Sequence, residues 1–449
     1  MNYIREQLKR VNKLRQYPSA IIGLSIISIL ILISVITVIF IPYEKAVMLW
    51  RGGQVWQETP RNARPIWTDW FSSEKLPRTK IIESRELEGM QIVEEMDGGA
   101  SRFEIELPFN YDYDGFPKEV NLFLESEFED NRPFGSVTWI TPDGREYKSR
   151  EMSFDSSSNF RFGRDKNIKK AFPDQDPEKG LFSDPDAEEQ IPLKGEYKIR
   201  ISGYIFEENS RIEARNVLYG QVHGLAGTDH RRRELLISLL WGTPVALLFG
   251  VLAAIGTTIT TLIIAAIGVW YGGWIDALIQ RITEINLILP LLPILVMVGM
   301  FLSRSLWTML AVVILLGIFS AGVKTYRAMF LQIKGAPFIE AARAYGASNF
   351  RIIFFYLIPK IIPTLIPSFI TAIPTYIFLE ASLAMLGLGD PVLPTWGKVL
   401  NDAHANGALF MGDFYWILQP AVLLMMTGLG FAMTGFALDR IFNPRLRRL

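Results

Sequence analysis

The chain has 449 residues, enough for more than one domain, and 49% of them are hydrophobic. There is no cysteine, which excludes disulfides and thiolate metal sites. The 46 basic and 46 acidic side chains cancel, yet they are unevenly placed: residues 1–15 carry +4, residues 16–230 carry −11 and residues 231–449 carry +7. An acidic middle suits an aqueous face outside the cell, and basic ends suit the cytoplasm.

A membrane-spanning helix needs about 20 apolar residues. Ala20–Ile41 is uncharged throughout, and its apolar core is too long for a signal peptide, so a retained anchor is expected. Leu235–Ile275 is uncharged for 41 residues, too long for one span. Pro244 and the glycines after it suggest a short interfacial helix leading into a long span. Ile285–Leu302, Ser305–Val323, Ile361–Leu379 and Phe414–Leu438 complete a set of six. Basic residues cluster at Arg5–Arg15, at Lys324–Lys360 and at Arg445–Arg448. Six spans put all three clusters on one side, expected to be the cytoplasm. The domains expected are a basic N-terminus (1–19), a first span (20–41), an extracytoplasmic region (42–230) and a helical core (231–449).

Between the first two spans, about 80–215 reads as a soluble β-rich insert. Phe103, Ile105 and Leu107 alternate with polar residues, as do Val120, Leu122 and Leu124, and Tyr197, Ile199 and Ile201. Period-two alternation marks half-buried strands. Val137–Ile140 runs into Pro142-Asp143-Gly144, a turn in which proline fixes φ and glycine supplies φ > 0. A small antiparallel β-sandwich is expected. The carboxylates between Asp174 and Glu188 read either as a calcium site or as a solvated loop, and they lack the glycine of an EF-hand. His223, His230 and His404 are isolated, so no metal site is expected from them.

The most informative stretch is 336–359. Pro337 suits a first helical position, Glu340 complements the helix dipole in the first turn, and Gly346 can end the helix in the left-handed conformation. Ser348 can cap a second helix beginning at Asn349. The product is two short helices at a sharp turn, with Ala341, Ala342 and Ala344 leaving a slim surface for a partner's groove. Pro359, Pro363, Pro367 and Pro374 punctuate the fifth span, which reads either as a bent pore wall including Thr371 or as plain kinked packing. Glu380 at its edge is a functional candidate by default, or it accepts bonds from loop backbone.

The stretch resembles the Glu-Ala-Ala loop of ABC importer permeases through Glu340, Ala341, Ala342, Gly346 and Pro359, with Arg343 and Ala347 between them. Gly227-Thr228-Asp229, followed by Arg233 and Glu234, looks like the motif that dipeptide/oligopeptide permeases carry ahead of their second span. Arg232 stands where glycine is usual, and Glu234 replaces aspartate. Tyr271–Asp276, Leu379–Leu383, Gly387–Gly389, Pro394–Gly397 and Asn443–Arg447 also match. The likeness covers the spans but not the β-insert, which is much shorter in family members.

The resemblance implies a mainly α membrane protein of six helices with the type I ABC importer permease fold and an extracytoplasmic β-sandwich-like insert between helices 1 and 2. It implies one half of a translocation path for peptides, and relatives of this type also carry oligosaccharides or nickel complexes. The expected partners are a second homologous permease, two ATPase subunits holding ATP and magnesium, an extracytoplasmic substrate-binding protein and the lipid bilayer; nucleic acid is not among them. No Gly-x-x-x-x-Gly-Lys-Ser/Thr occurs, since Val392 stands where Gly397-Lys398 would need glycine, so the chain is expected to be no enzyme and to rely on a separate ATPase. A membrane-anchored receptor and an ion-driven carrier are the readings from other classes.

Overall fold

The computed structural model describes residues 17–96 and 100–442. The basic stretch Arg5–Arg15 and the closing 443–447 motif lie outside them. The chain divides into two compact units, a helical one of Met1–Arg51 with Ile237–Leu449 and a β-rich one of Gly52–Leu236.

The β-rich unit contains β1 (Lys80–Glu83), β2 (Gln91–Glu95), β3 (Ser101–Tyr111), β4 (Glu119–Glu127), β5 (Phe134–Ile140), β6 (Glu146–Lys148), β7 (Met152–Ser153), β8 (Ser157–Arg161), β9 (Gly195–Ile205) and β10 (Arg211–Tyr219). One sheet runs β1-β10-β4-β8; the other runs β2-β3-β9-β5-β6, with β7 beside β5. All these ladders are antiparallel. The alternating residues of β3, β4 and β9 are buried together in one core to which both sheets contribute. Two sheets sharing inward faces make a sandwich. Its centre is Trp139 of β5, edge-on to Phe162 and Phe182 at 5.1 Å each, with its indole N–H donating to Leu181 O at 3.2 Å. Gly144 closes the β5–β6 turn at φ +86°.

A half-buried carboxyl tunes this unit to pH. Glu178 sits against Gly163, where a Cβ would fall 2.0 Å from its carboxylate oxygen. Burial first, and the neighbouring Asp176 carboxyl second, push Glu178 up from 4.5 to about 7. The folded unit therefore holds a proton that the unfolded chain has released between these values. Stability falls as pH rises through that window, by about 1–2 kcal/mol once partial exposure is allowed for. Hydrogen exchange of the β3–β9 ladder, corrected for intrinsic rates, should show stronger protection at pH 5 than at pH 8, and Glu178→Gln should flatten the difference.

The helical unit contains α1 (Pro18–Phe40), α2 (Tyr43–Arg51), α3 (Leu235–Tyr271, whose first two residues belong to the β-rich unit), α4 (Gly273–Ile288), α5 (Leu291–Phe301), α6 (Leu306–Gly317), α7 (Gly322–Lys334), α8 (Pro337–Ala344), α9 (Asn349–Leu388), α10 (Trp396–Ala405) and α11 (Phe414–Phe442). Among the described residues α1, α3, α9 and α11 are long and apolar enough to cross a membrane. The pairs α4–α5 and α6–α7 bend by 78° and 46°, and each pair has the length and composition of one further span. Small residues let α1 and α11 cross closely: a Cβ on Gly23 would fall 2.6 Å from Thr434 Oγ1 and 2.7 Å from Gly430 O. In lipid such backbone approach drives association, because no hydrophobic force separates helix from solvent.

Two expectations, at Pro244 and at Asn349, are corrected, and the third and fourth apolar runs are bent. Pro244 does not end a short helix; α3 is continuous for 37 residues. Trp396 Nε1 and the Thr243 hydroxyl both donate to Leu239 O, at 2.9 and 3.2 Å, in the turn that the proline opens. The third and fourth apolar runs are not straight. Leu289, before Pro290, is driven to extended backbone (ψ 127°), which breaks α4 from α5. At the other bend, Asn286 Nδ2 donates to Leu316 O and Phe319 O, and Thr261 Oγ1 to Gly317 O, so side chains satisfy the helix-end carbonyls. Finally, the second short helix at Asn349 is the first turn of the 40-residue α9, which runs through four prolines by way of π-type turns at Ile353–Leu357 and Ala384–Leu388.

Candidate functional site

Helix α8 begins with Pro337 in its first turn and ends at Ala344. Gly346 takes φ +77°, and a Cβ there would meet nothing within 4 Å, so the backbone conformation alone demands glycine. Its N–H donates to Arg343 O at 2.9 Å, and Ala347 N–H donates to Ala342 O at 3.0 Å, closing the helix end. Ser348 Oγ accepts from Arg351 N at 3.3 Å and caps α9. Punctuation of this kind is local, which is why these residues form a hairpin of helices.

One face of α8 is anchored. Ile339 and Ala342 are buried in a core with Val269 and Trp270 at the end of α3, Phe330 of α7, and Ile352 and Leu357 of α9; Ala347 packs against it half-buried. The Arg343 guanidinium lies over the Trp270 ring, 4.4 Å from its centre. Lys334 Nζ donates to Val269 O and Trp270 O at 2.6 and 3.1 Å, capping the C-terminus of α3. Arg327 grips Asp276 with both nitrogens, Nε at 2.9 Å and Nη2 at 2.6 Å, and so ties α7 to α4.

The other face is open. Glu340, Ala341 and Ala344 are exposed, and Glu340 forms no ion pair among the described residues. Tyr345 is 92% and Phe350 64% exposed, so a rim of aromatic side chains surrounds a flat alanine surface. The outward aromatic side chains make this face more apolar than an ordinary solvated helix face. Tyr345 and Phe350 were missed by motif matching. Their signal was large aromatic side chains beside a left-handed glycine, in a loop that has no core position for them.

On α9, Pro359 is exposed, Pro363 and Thr371 are half-buried and Pro367 is buried. Pro363, Pro367 and Thr371 share one stripe at four-residue spacing, and Thr371 packs on Gly435 of α11, where a Cβ would fall 2.4 Å from its methyl. Glu380 is 5% exposed, away from that stripe, with the Thr395 hydroxyl as hydrogen-bond partner. A second stripe follows from helical spacing: Thr364, Ser368, Thr371, Thr375 and Ser382 fall on one side of α9, and all but Thr371 are exposed. The hydroxyls of Thr364, Ser368 and Ser382 donate to carbonyls of the preceding turn at 2.7–2.9 Å, leaving acceptor lone pairs outward.

In the β-rich unit, residues 227–235 form a closed knot. Thr228 Oγ1 accepts from Ala63 N at 2.9 Å and donates to Pro60 O at 2.7 Å. Asp229 accepts from Arg231 N, Arg233 N and Arg233 Nε at 2.8, 2.9 and 2.6 Å, with both partners of the ion pair buried. Gly227 sits at φ +78° and its carbonyl accepts from Leu235 N at 3.0 Å, where α3 begins. Arg232 takes φ +69°, a conformation suited to glycine, and is held there by Thr59 O at 2.7 Å, by Glu119 and by the Tyr219 ring at 4.1 Å. Among the described residues no group of three or more His, Cys, Asp or Glu side chains could hold a metal ion, and the acidic stretch 174–188 gathers none.

Residues 258–448, within the helical unit, match the family described as binding-protein-dependent transport system inner membrane component. The chain is 30% identical over 223 residues to the dipeptide transport system permease protein of Alkalihalophilus pseudofirmus, covering 49% of this chain and 72% of that one. It is 27% identical over 224 residues to the oligopeptide transport system permease protein of Bacillus subtilis, with the same coverage. It is 32% identical over 225 residues to the glutathione transport system permease protein of Escherichia coli, again 49% and 72%.

Proposed function

The chain belongs to the peptide-type family of inner-membrane permeases of binding-protein-dependent ABC importers, and from that premise we propose that α8 is the lever through which separate ATPases drive it. It is an integral membrane protein and a transporter subunit. The supporting observation is the two-faced setting of α8. Ile339 and Ala342 lock it to the ends of α3 and α9, while Glu340, Ala341, Ala344 and Tyr345 face outward. Force applied to the outer face reaches α9 through packed side chains, which is how a bistable bundle is switched.

In this reading two ATPases, carrying ATP and magnesium, bind the α8 face in the cytoplasm. A second permease pairs with this chain around a path, and a substrate-binding protein docks outside, on the side of the β-rich unit. Both termini lie in the cytoplasm and the bent pairs complete six spans. The cargo is a peptide, and the hydroxyl stripe Thr364, Ser368, Thr371, Thr375 and Ser382 faces the path, offering acceptors to peptide N–H groups. Pro363 and Pro367 shape the helix beside it, and Glu380 holds its outer end in place.

Affinity purification of this chain should bring the ATPase subunits with it, which a receptor or an ion-driven carrier would not do. Tyr345→Asp replaces the most exposed aromatic of the proposed contact with a charge and should lower ATPase recovery about tenfold or more, as loss of an interface hot spot does. Equal recovery would remove α8 from the contact.

A further inference from the structure

The β-rich unit carries an exposed aromatic patch that its own core does not explain. Residues Ile66–Phe71 form a 3-10 helix in which Trp67, Trp70 and Phe71 are 39%, 81% and 83% exposed. Leu225, 69% exposed, joins them, because Trp67 Nε1 donates to its carbonyl at 2.9 Å and Ile66 N donates to Gly224 O at 2.9 Å. Trp67 and Phe71 meet edge-on, 6.5 Å between ring centres. Four large apolar side chains are thus exposed within one short region of the fold. Water is a poor solvent for it, and monomeric soluble surfaces rarely present such a patch without a partner.

The chain itself says what covers it. Leu225 lies two residues from Gly227, whose carbonyl accepts from Leu235 N, the first residue of α3. The backbone of 62–66 runs beside 221–229 through Asn62 N to Asp229 O, Arg64 N to Gln221 O and Ile66 N to Gly224 O. The patch is therefore tied by backbone hydrogen bonds to residues 221–235, the segment that leads in the chain into α3. Its chemistry fits the same place, since tryptophan is enriched where the bilayer meets water and has an apolar body with one polar N–H. Arg64 and Arg78 both pair their backbone with Val222, three residues from Leu225. Both are exposed, and neither forms an ion pair among the described residues. Cations beside an aromatic wedge are placed to reach lipid phosphates while the rings enter the acyl boundary.

We propose that Trp67, Trp70, Phe71 and Leu225 form a lipid-interface anchor that seats the β-rich unit on the bilayer surface, with Arg64 and Arg78 on headgroup phosphates. The anchor sets the height of the β-rich unit above the membrane and is independent of the cargo.

The sequence contains no cysteine, so a single introduced thiol reports its own site. Phe71→Cys and, separately, Trp70→Cys would be spin-labelled in the full chain and reconstituted into vesicles of phosphatidylcholine and phosphatidylglycerol. Gly144→Cys, at the tip of the β5–β6 turn, is the aqueous control. Power saturation should show labels at 70 and 71 more accessible to oxygen than to an aqueous nickel chelate, and the label at 144 the reverse. Nickel accessibility at 70 and 71 equal to that at 144 would overturn the anchor, since the patch would then stand in water. Shielding from both reagents would overturn it too, because protein rather than lipid would cover the patch.

Discussion

Asp229→Ala is expected to destabilise the β-rich unit by about 3–5 kcal/mol, because it removes the buried carboxylate that pairs with the buried Arg233 guanidinium at 2.6 Å. The carboxylate also accepts from two backbone N–H groups, Arg231 and Arg233, at 2.8 and 2.9 Å, and alanine leaves both without that acceptor. The effect is local first. The same turn supplies the Gly227 carbonyl that receives Leu235 N, so the start of α3 frays with it. Hydrogen exchange across 227–240 should rise before the β3–β9 ladder loosens. If the single variant costs under about 1 kcal/mol, the buried pair is not what holds the knot. Arg232 sharpens the same point. A non-glycine residue at φ +69° persists only where its surroundings over-determine it, and Thr59, Glu119 and Tyr219 do so here. The β-rich unit thus supplies the contacts that hold arginine in a conformation suited to glycine.

What could be read from the sequence was whatever depends on neighbours in the chain. Alternation in β3, β4 and β9 was legible because one face of each strand is buried whatever the sheet order. Pro337, Gly346 and Ser348 were legible because each acts on the backbone within a turn of itself. Sheet order was not legible, since β3 finds β9 and β4 finds β10 across long stretches of chain. Nor was the fate of the prolines. Pro244 and Pro290 look alike in sequence. One lies inside a continuous helix, where Trp396 Nε1 from another segment bonds Leu239 O nearby, and the other follows Leu289 in extended backbone, where α4 breaks from α5. The Glu-Ala-Ala stretch was recognised by its letters, but its working face was not. Ala342 points into the core while Ala341 points out, a distinction that only the helix phase relative to Trp270 decides.

Gly346→Pro should separate ATP hydrolysis from uptake while leaving the chain in the membrane. Proline fixes φ near −65°, whereas this position holds +77°, and it deletes the N–H that donates to Arg343 O. The local cost is about 3 kcal/mol or more, and it falls on the turn that folds α8 back against Ile352 and Leu357. The spans themselves keep their packing, since a Cβ at 346 meets nothing within 4 Å. Gly346→Ala tests the same turn more gently, at about 1–2 kcal/mol for the left-handed conformation alone. In reconstituted assemblies uptake per ATP hydrolysed should therefore fall in the order wild type, Gly346→Ala, Gly346→Pro, with the last at least about tenfold below the first. Glu340→Lys approaches the lever from its outer face. Glu340 is exposed and forms no ion pair among the described residues, so reversing its charge costs α8 only the dipole's contribution of about 0.3–1 kcal/mol and otherwise alters what a partner meets. It should cut uptake to a similar degree with thermal stability nearly unchanged, which distinguishes loss of docking from loss of the turn. Normal uptake in both Gly346→Pro and Glu340→Lys would mean that α8 does not couple the ATPases to the path.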